Sequence, residues 1–130
     1  MHSDTLADML IRLKNAAAVK KATVTVPATK MNFAVLNLLL KENYIASFEK
    51  DENSKFPTLI VKLKYVGGSS ALAHVKKISK PGVRIYSKAT ELKRTLSGYG
   101  IKVVSTSHGL MTDADARKNK LGGEVLAELW

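Results

Sequence analysis

The chain has 130 residues, 45% of them hydrophobic and 25% charged, with a formal net charge of +10 from 21 Lys and Arg against 11 Asp and Glu. Residues 1–64 carry 10 basic and 6 acidic side chains and residues 65–130 carry 11 and 5, so the charge belongs to a folded body rather than a tail, and it points first to nucleic acid. The absence of Cys excludes disulfides, thiolate catalysis and Cys-ligated zinc; no apolar run is long enough for a membrane span, and Met1-His2-Ser3-Asp4 does not open like a signal peptide, so a soluble cytoplasmic protein is expected.

Helix one is predicted from Ser3 or Asp4 to about Ala18, with Leu6, Met9, Leu10, Leu13 and Ala17 on one apolar face. Asp4 and Asp8 suit the positive end of its dipole. Thr23-Val24-Thr25-Val26 alternates with period two and stops at Pro27, which predicts a short strand. Thr29 is the predicted N-cap of helix two, about residues 30–43. Phe33, Leu36 and Leu40 form its expected core face, widened by Val35, Leu38 and Leu39. Ile45 to Phe48 and Thr58 to Tyr65 read as strands around the polar loop Asp51-Glu52-Asn53-Ser54-Lys55. Leu59, Val61, Leu63 and Tyr65 share one expected face.

Gly67-Gly68-Ser69-Ser70 reads as a linker. It predicts an N-terminal α-β-α-β-β subdomain over residues 1–66 and a strand-rich subdomain with short helices over 67–130. The class is α+β. In the second half, His74 to Ile78 reads as a strand. Pro81-Gly82 fits the centre of a type II turn. Val83-Arg84-Ile85-Tyr86 alternates, so Val83 and Ile85 are expected inward, with Arg84 and Tyr86 sharing the outer face. A short helix is expected near 89–97, ending at Gly98. Ile101 to Val104 is a strand that runs into Ser105-Thr106-Ser107-His108-Gly109, a tight turn followed by a short strand and a helix cap. Asp113 and Asp115 suit the first turn of a helix ending at Gly122-Gly123, and the last strand runs from Glu124 to Trp130.

The chemistry favours binding over catalysis. Ser107, His108 and Asp113 resemble a hydrolytic triad only in composition, because neighbours in an extended chain point to opposite faces. No Gly-rich nucleotide loop occurs, and neither a metal site nor a cofactor is expected. The hydroxyls of Ser105, Thr106 and Ser107 each offer one donor and two acceptor lone pairs, which suits sugar hydroxyls, phosphates and base edges. A turn satisfying its own backbone is the simpler account of them. Arg84 and Tyr86 set a cation beside a stackable ring. Lys30, Lys55, Lys80 and Lys88 sit in turns or at element starts, within reach of phosphates. A hydrolase using Ser107 and a basic membrane-surface protein are the readings from other classes; the second lacks a basic helix face with exposed aromatics.

Four stretches resemble one family. They are Asp4 through Asn15; Val26-Pro27-Ala28-Thr29-Lys30; Ile78-Ser79-Lys80-Pro81-Gly82-Val83-Arg84-Ile85-Tyr86; and the run from Gly100 through Ser105-Thr106-Ser107, Gly109, Met111-Thr112, Ala116-Arg117 and Gly122-Gly123-Glu124 to Trp130. In this order they resemble bacterial small-subunit ribosomal protein eight over essentially the full length. The chain departs from the pattern with Thr5 where Pro is usual, His108 where Lys, Arg or Gln is common, and Ala127 where Cys is frequent. The resemblance implies a structural constituent of the ribosome, a primary rRNA-binding protein of the 16S central domain that helps organise the platform. It implies small-subunit proteins five and twelve as neighbours and, in some members, repression of the protein's own operon mRNA. It also adds Gly109, Gly122, Gly123 and Glu124 to the expected RNA contacts.

Overall fold

The helical spacing at the start of the chain becomes α1, Thr5–Ala18, in a computed structural model that describes residues 5–53, 55–93 and 100–130. β1 (Thr23–Pro27), α2 (Lys30–Lys41), β2 (Ile45–Asp51) and β3 (Thr58–Leu63) follow. Then come β4 (Tyr65–Val66), β5 (Ser69–Ser70), β6 (Val75–Lys77), β7 (Tyr86–Ser87) and a 3-10 turn at Ala89–Glu91. β8 (Ile101–Thr106), β9 (Gly109–Thr112), α3 (Asp113–Lys118) and β10 (Gly123–Leu129) complete the order. Every strand pairing is antiparallel, so the class is α+β. The described residues divide into two compact units, one up to Ala73 and the other from His74 to Trp130.

In the first unit, the sheet β1-β3-β2 presents Val26, Leu59, Val61 and Leu63 to the core. α1 packs on β1 and α2, and α2 on β2. α1 buries Leu6, Met9, Leu10, Leu13, Ala16 and Ala17. On α2 the buried stripe is Asn32, Val35, Leu36, Leu38 and Leu39, while Phe33 and Leu40, expected in the core, are exposed. Asn32 takes the inward place because it ties the helix start to β1. Its backbone N–H donates to the Thr29 hydroxyl at 3.0 Å and its side-chain amide donates to the Pro27 carbonyl at 3.0 Å. Phe33 is left to lean edge-on against Phe48, ring centroids 5.4 Å apart.

Gly67 and Gly68, read as linker, form a tight turn instead. Both have positive φ, 59° and 82°, and they close the β4–β5 hairpin in which Val66 pairs with Ser69. Two consecutive positive φ values are what a two-residue hairpin turn with matching twist requires.

In the second unit, β10 is the central strand. β8 lies on one side of it, followed by β9, and β6 and β7 share the other side. Leu92, Val104, Ala116 and Val125 form a core cluster, with Ile78 and Met111 packed against it. Four expectations change here. Gly82 lacks the positive φ that a type II turn demands, although Lys80 and Val83 do exchange backbone hydrogen bonds across the turn. Val83 and Ile85 are not inward: they are 61% and 40% exposed, because the loop leaves the sheet and only Tyr86–Ser87 pairs as strand. The helix expected near 89–97 is a single 3-10 turn as far as Glu91; residues 94–99, which include Gly98, lie outside the described residues. α3 ends at Lys118, before Gly122-Gly123, with Asn119 as its C-cap and Lys120 at φ 57°.

Candidate nucleic-acid interface

The site is built on the start of β10. In an antiparallel ladder, residues paired across strands place their side chains on the same face. Glu124 pairs with Tyr86 on one side and Ser105 on the other, and Ser105 pairs in turn with Leu110. Tyr86, Glu124 and Ser105 therefore form one row across three strands. The next row, Val125, Val104 and Met111, is offset by one residue and joins the core cluster. Tyr86 is 70% exposed, so its ring stands free in the row.

The pair Gly122-Gly123 makes this row possible. A Cβ on Gly123 would lie 2.1 Å from the Ser105 carbonyl oxygen, and one on Gly122 would lie 2.6 Å from the Ser87 carbonyl oxygen. Any side chain at either position would push β10 away from β8 or from the end of β7. The two glycines act here through close approach of backbones, and they bring the hydroxyl run and the tyrosine segment to the same strand.

The three hydroxyls are not equivalent. Thr106 pairs with Gly109, leaving Ser107 and His108 as the turn. The Thr106 hydroxyl accepts from the His108 N–H at 3.1 Å and donates to the Gly109 carbonyl at 2.9 Å. Thr106 therefore serves its own turn, whereas the Ser105 and Ser107 hydroxyls have no hydrogen-bond partner among the described residues. Ser107 and Gly109 are exposed and Ser105 is half-buried. Because the turn begins at Ser107, strand alternation does not decide its direction.

Arg84 reaches Glu124, Nη1 to Oε2 at 3.1 Å. The Glu124 side chain is 17% exposed and that of Arg84 is 52% exposed. The guanidinium offsets a carboxylate that would otherwise repel phosphate at the centre of the row. Lys80 and Lys88 are exposed on the same unit, and Lys30 and Lys55 are exposed on the other unit. Beside the row opens a groove of about 1030 Å³ lined by Tyr86, Lys88, Thr90, Arg117, Lys120 and the two glycines, among others. Arg117 is fixed there by Asp113 at 2.7 Å and the Leu92 carbonyl at 3.3 Å.

Sequence reasoning missed Ser79. It is fully buried, and its hydroxyl accepts from the Ile85 N–H at 2.8 Å and donates to the Ile85 carbonyl at 3.2 Å. That clasp closes the Lys80–Arg84 loop and sets the direction of Tyr86. The only signal was a small polar residue at the end of an apolar strand. Asp113 likewise does structural work: its carboxylate accepts from the Lys102 N–H at 2.9 Å and pairs with Arg117. It is thereby committed at the opposite end of β8 from Ser107, and the triad geometry does not form. No group of three His, Asp or Glu able to hold a metal ion occurs among the described residues, and no described helix is long and apolar enough to cross a membrane.

A family model described as ribosomal protein S8 matches residues 4–130. A small ribosomal subunit protein uS8 of Lachnoclostridium phytofermentans is 48% identical over 130 residues, covering 98% of each chain. Proteins of the same description from Mycoplasmopsis agalactiae and Nostoc punctiforme are 47% and 45% identical, again with 98% of each chain covered.

Proposed function

The chain belongs to the ribosomal protein S8 family, and from that premise we propose that it binds the central domain of 16S rRNA through the face carrying Tyr86, Glu124 and the Ser105–Gly109 turn. As a member it is a structural constituent of the small ribosomal subunit and not an enzyme. The finer reading makes it a cytoplasmic primary binder that helps organise the platform, with small-subunit proteins five and twelve as neighbours. The same face would take its own operon mRNA where that message folds into a similar element.

One observation carries this reading: the Tyr86–Glu124–Ser105 row, which β10 assembles from three strands. It combines an open ring for stacking, a carboxylate that accepts from base amino groups or a 2′-OH, and neutral hydroxyls. Such groups read irregular RNA by shape, stacking and sugar contacts, while Arg and Lys on phosphates hold the register. Arg84, Lys80 and Lys88 supply that charge on the same unit. Lys30 and Lys55 supply it on the other. Gly109 leaves its turn open to an approaching RNA backbone, while Gly122 and Gly123 hold the strands of the face together.

The experiment is footprinting on 16S rRNA, followed by binding to the protected helix across a salt series. With four to six phosphate contacts, log affinity should fall against log salt with a slope of roughly −3 to −5. Tyr86→Ala should weaken cognate binding by about 1–3 kcal/mol and leave binding to an unrelated duplex nearly intact. An affinity that stays flat with salt, or a footprint outside the central domain, defeats the reading.

A further inference from the structure

Phe56 is 69% exposed. It stands beside the expected phosphate contact Lys55, whose ammonium lies 5.7 Å from the centre of the Phe56 ring. The ring adds nothing to the core of its unit, which is built from α1, α2 and the inner face of β1–β3. A single exposed apolar side chain needs no explanation by itself. This one differs in two respects. It is an aromatic ring with a cation already held near it, and its segment is tied by the backbone to the stretch that leads into a second lysine, Lys30. The Ala28 N–H donates to the Pro57 carbonyl at 3.1 Å, and Pro27 pairs with Thr58. The segment Lys55-Phe56-Pro57 is thereby tied to the chain two residues before Lys30 at the start of α2. Thr29 caps that helix, which orders the backbone that carries Lys30.

We propose that Phe56 is a second RNA contact, on the unit that lacks the Tyr86 row, where its ring stacks on an unpaired base while Lys55 and Lys30 take flanking phosphates. This rests on the reading that the protein binds rRNA. A cation near a ring leaves the rest of the exposed ring surface to a base, and base–aromatic stacking tolerates any base because each has a π-face. Asp51 and Glu52 also belong to this loop. Asp51 is turned inward on its own turn, accepting from the Asn53 N–H at 3.0 Å. The choice of RNA over a protein partner follows from the two lysines, which take part in no ion pair among the described residues, and from the net charge of +10.

The test uses the full chain on a central-domain fragment of 16S rRNA, with Phe56→Ala, Phe56→Trp, Lys55→Ala and Tyr86→Ala measured across a salt series. Phe56→Ala should lose roughly five- to 150-fold in affinity with the salt slope unchanged, because no charge is removed. Phe56→Trp should hold or improve the parent's affinity. Lys55→Ala should lower the slope by about one unit. Thermal melts confirm that each variant folds, which a loop-tip position favours. If Phe56→Ala binds like the parent while Tyr86→Ala loses affinity, the rRNA-binding reading stands and this proposal fails. It fails equally if Phe56→Ala binds free RNA normally but is excluded from reconstituted small subunits, since the ring then meets a protein. Failure of the parent chain to bind the fragment overturns the functional reading itself.

Discussion

Two segments meet on β10, and they are held in opposite ways. The Ser105–Gly109 turn is closed from within, by the Thr106 hydroxyl and a positive φ of 104° at Gly109. The Val83–Tyr86 segment is closed from outside. Ser79 clasps both backbone groups of Ile85, and the Val125 N–H donates to the Ile85 carbonyl at 2.9 Å. The first reads as a turn between strands in the sequence and the second as a strand, yet only the first is flanked by strands paired along their length. The difference teaches that alternation of apolar residues marks a strand face only where something covers that face. Val83 and Ile85 alternate over a loop that nothing in the core reaches, and one buried hydroxyl does what their side chains were expected to do.

The largest test of this contrast removes the shared support. Gly123→Ala places a methyl 2.1 Å from the Ser105 carbonyl, and overpacking of a well-fitted site costs about 1–3 kcal/mol or more. Both segments should lose order, seen as a lower melting temperature and loss of cognate RNA binding. A melt unchanged from the parent's would mean that β10 and β8 separate at little cost. Gly122→Ala, whose closest approach is 2.6 Å to the Ser87 carbonyl, should strike the tyrosine side alone.

Ser79→Ala comes next. It orphans the Ile85 N–H beneath the loop and should cost about 1–3 kcal/mol. Hydrogen exchange is the discriminating measurement: the Ile85 amide should exchange faster while the His108 amide is unaffected. Equal acceleration at both sites would show that the two segments are one cooperative piece, and the contrast would be lost.

Ser107→Ala probes the other side. Its hydroxyl is free for a ligand, so the folded protein should melt like the parent and bind cognate rRNA more weakly by about 1–2 kcal/mol, with an unchanged salt slope. Thr106→Ala should do the reverse in part, costing about 1 kcal/mol of stability through its lost turn bonds. Binding by Ser107→Ala at parental affinity would reduce the hydroxyl run to a turn. The smallest effect belongs to Glu124→Gln. The Arg84 pair is partly solvated, and such pairs contribute about 0–1 kcal/mol. The melt should barely move, while the freed guanidinium should steepen the salt slope by at most about one unit.

Much of the architecture was legible because its causes are local. Thr29 and Thr112 cap their helices through their own hydroxyls, α1 buries the stripe its spacing marks, and Gly109 sits in its turn at a positive φ. The candidate residues were legible too, as hydroxyls, a ring and cations in turns. What local pattern could not supply was partnership across the chain. Asn32 displaced Phe33 from the core because a carbonyl five residues earlier needed its amide. Ser79 fixed the tyrosine loop from six residues away. Tyr86, Glu124 and Ser105 became neighbours because two glycines let three backbones close on one strand. Helix caps, turns and apolar periodicity act over a few residues and so are written in the order of side chains. The proposed binding face depends on strand register and backbone approach, which exist only once distant segments have paired.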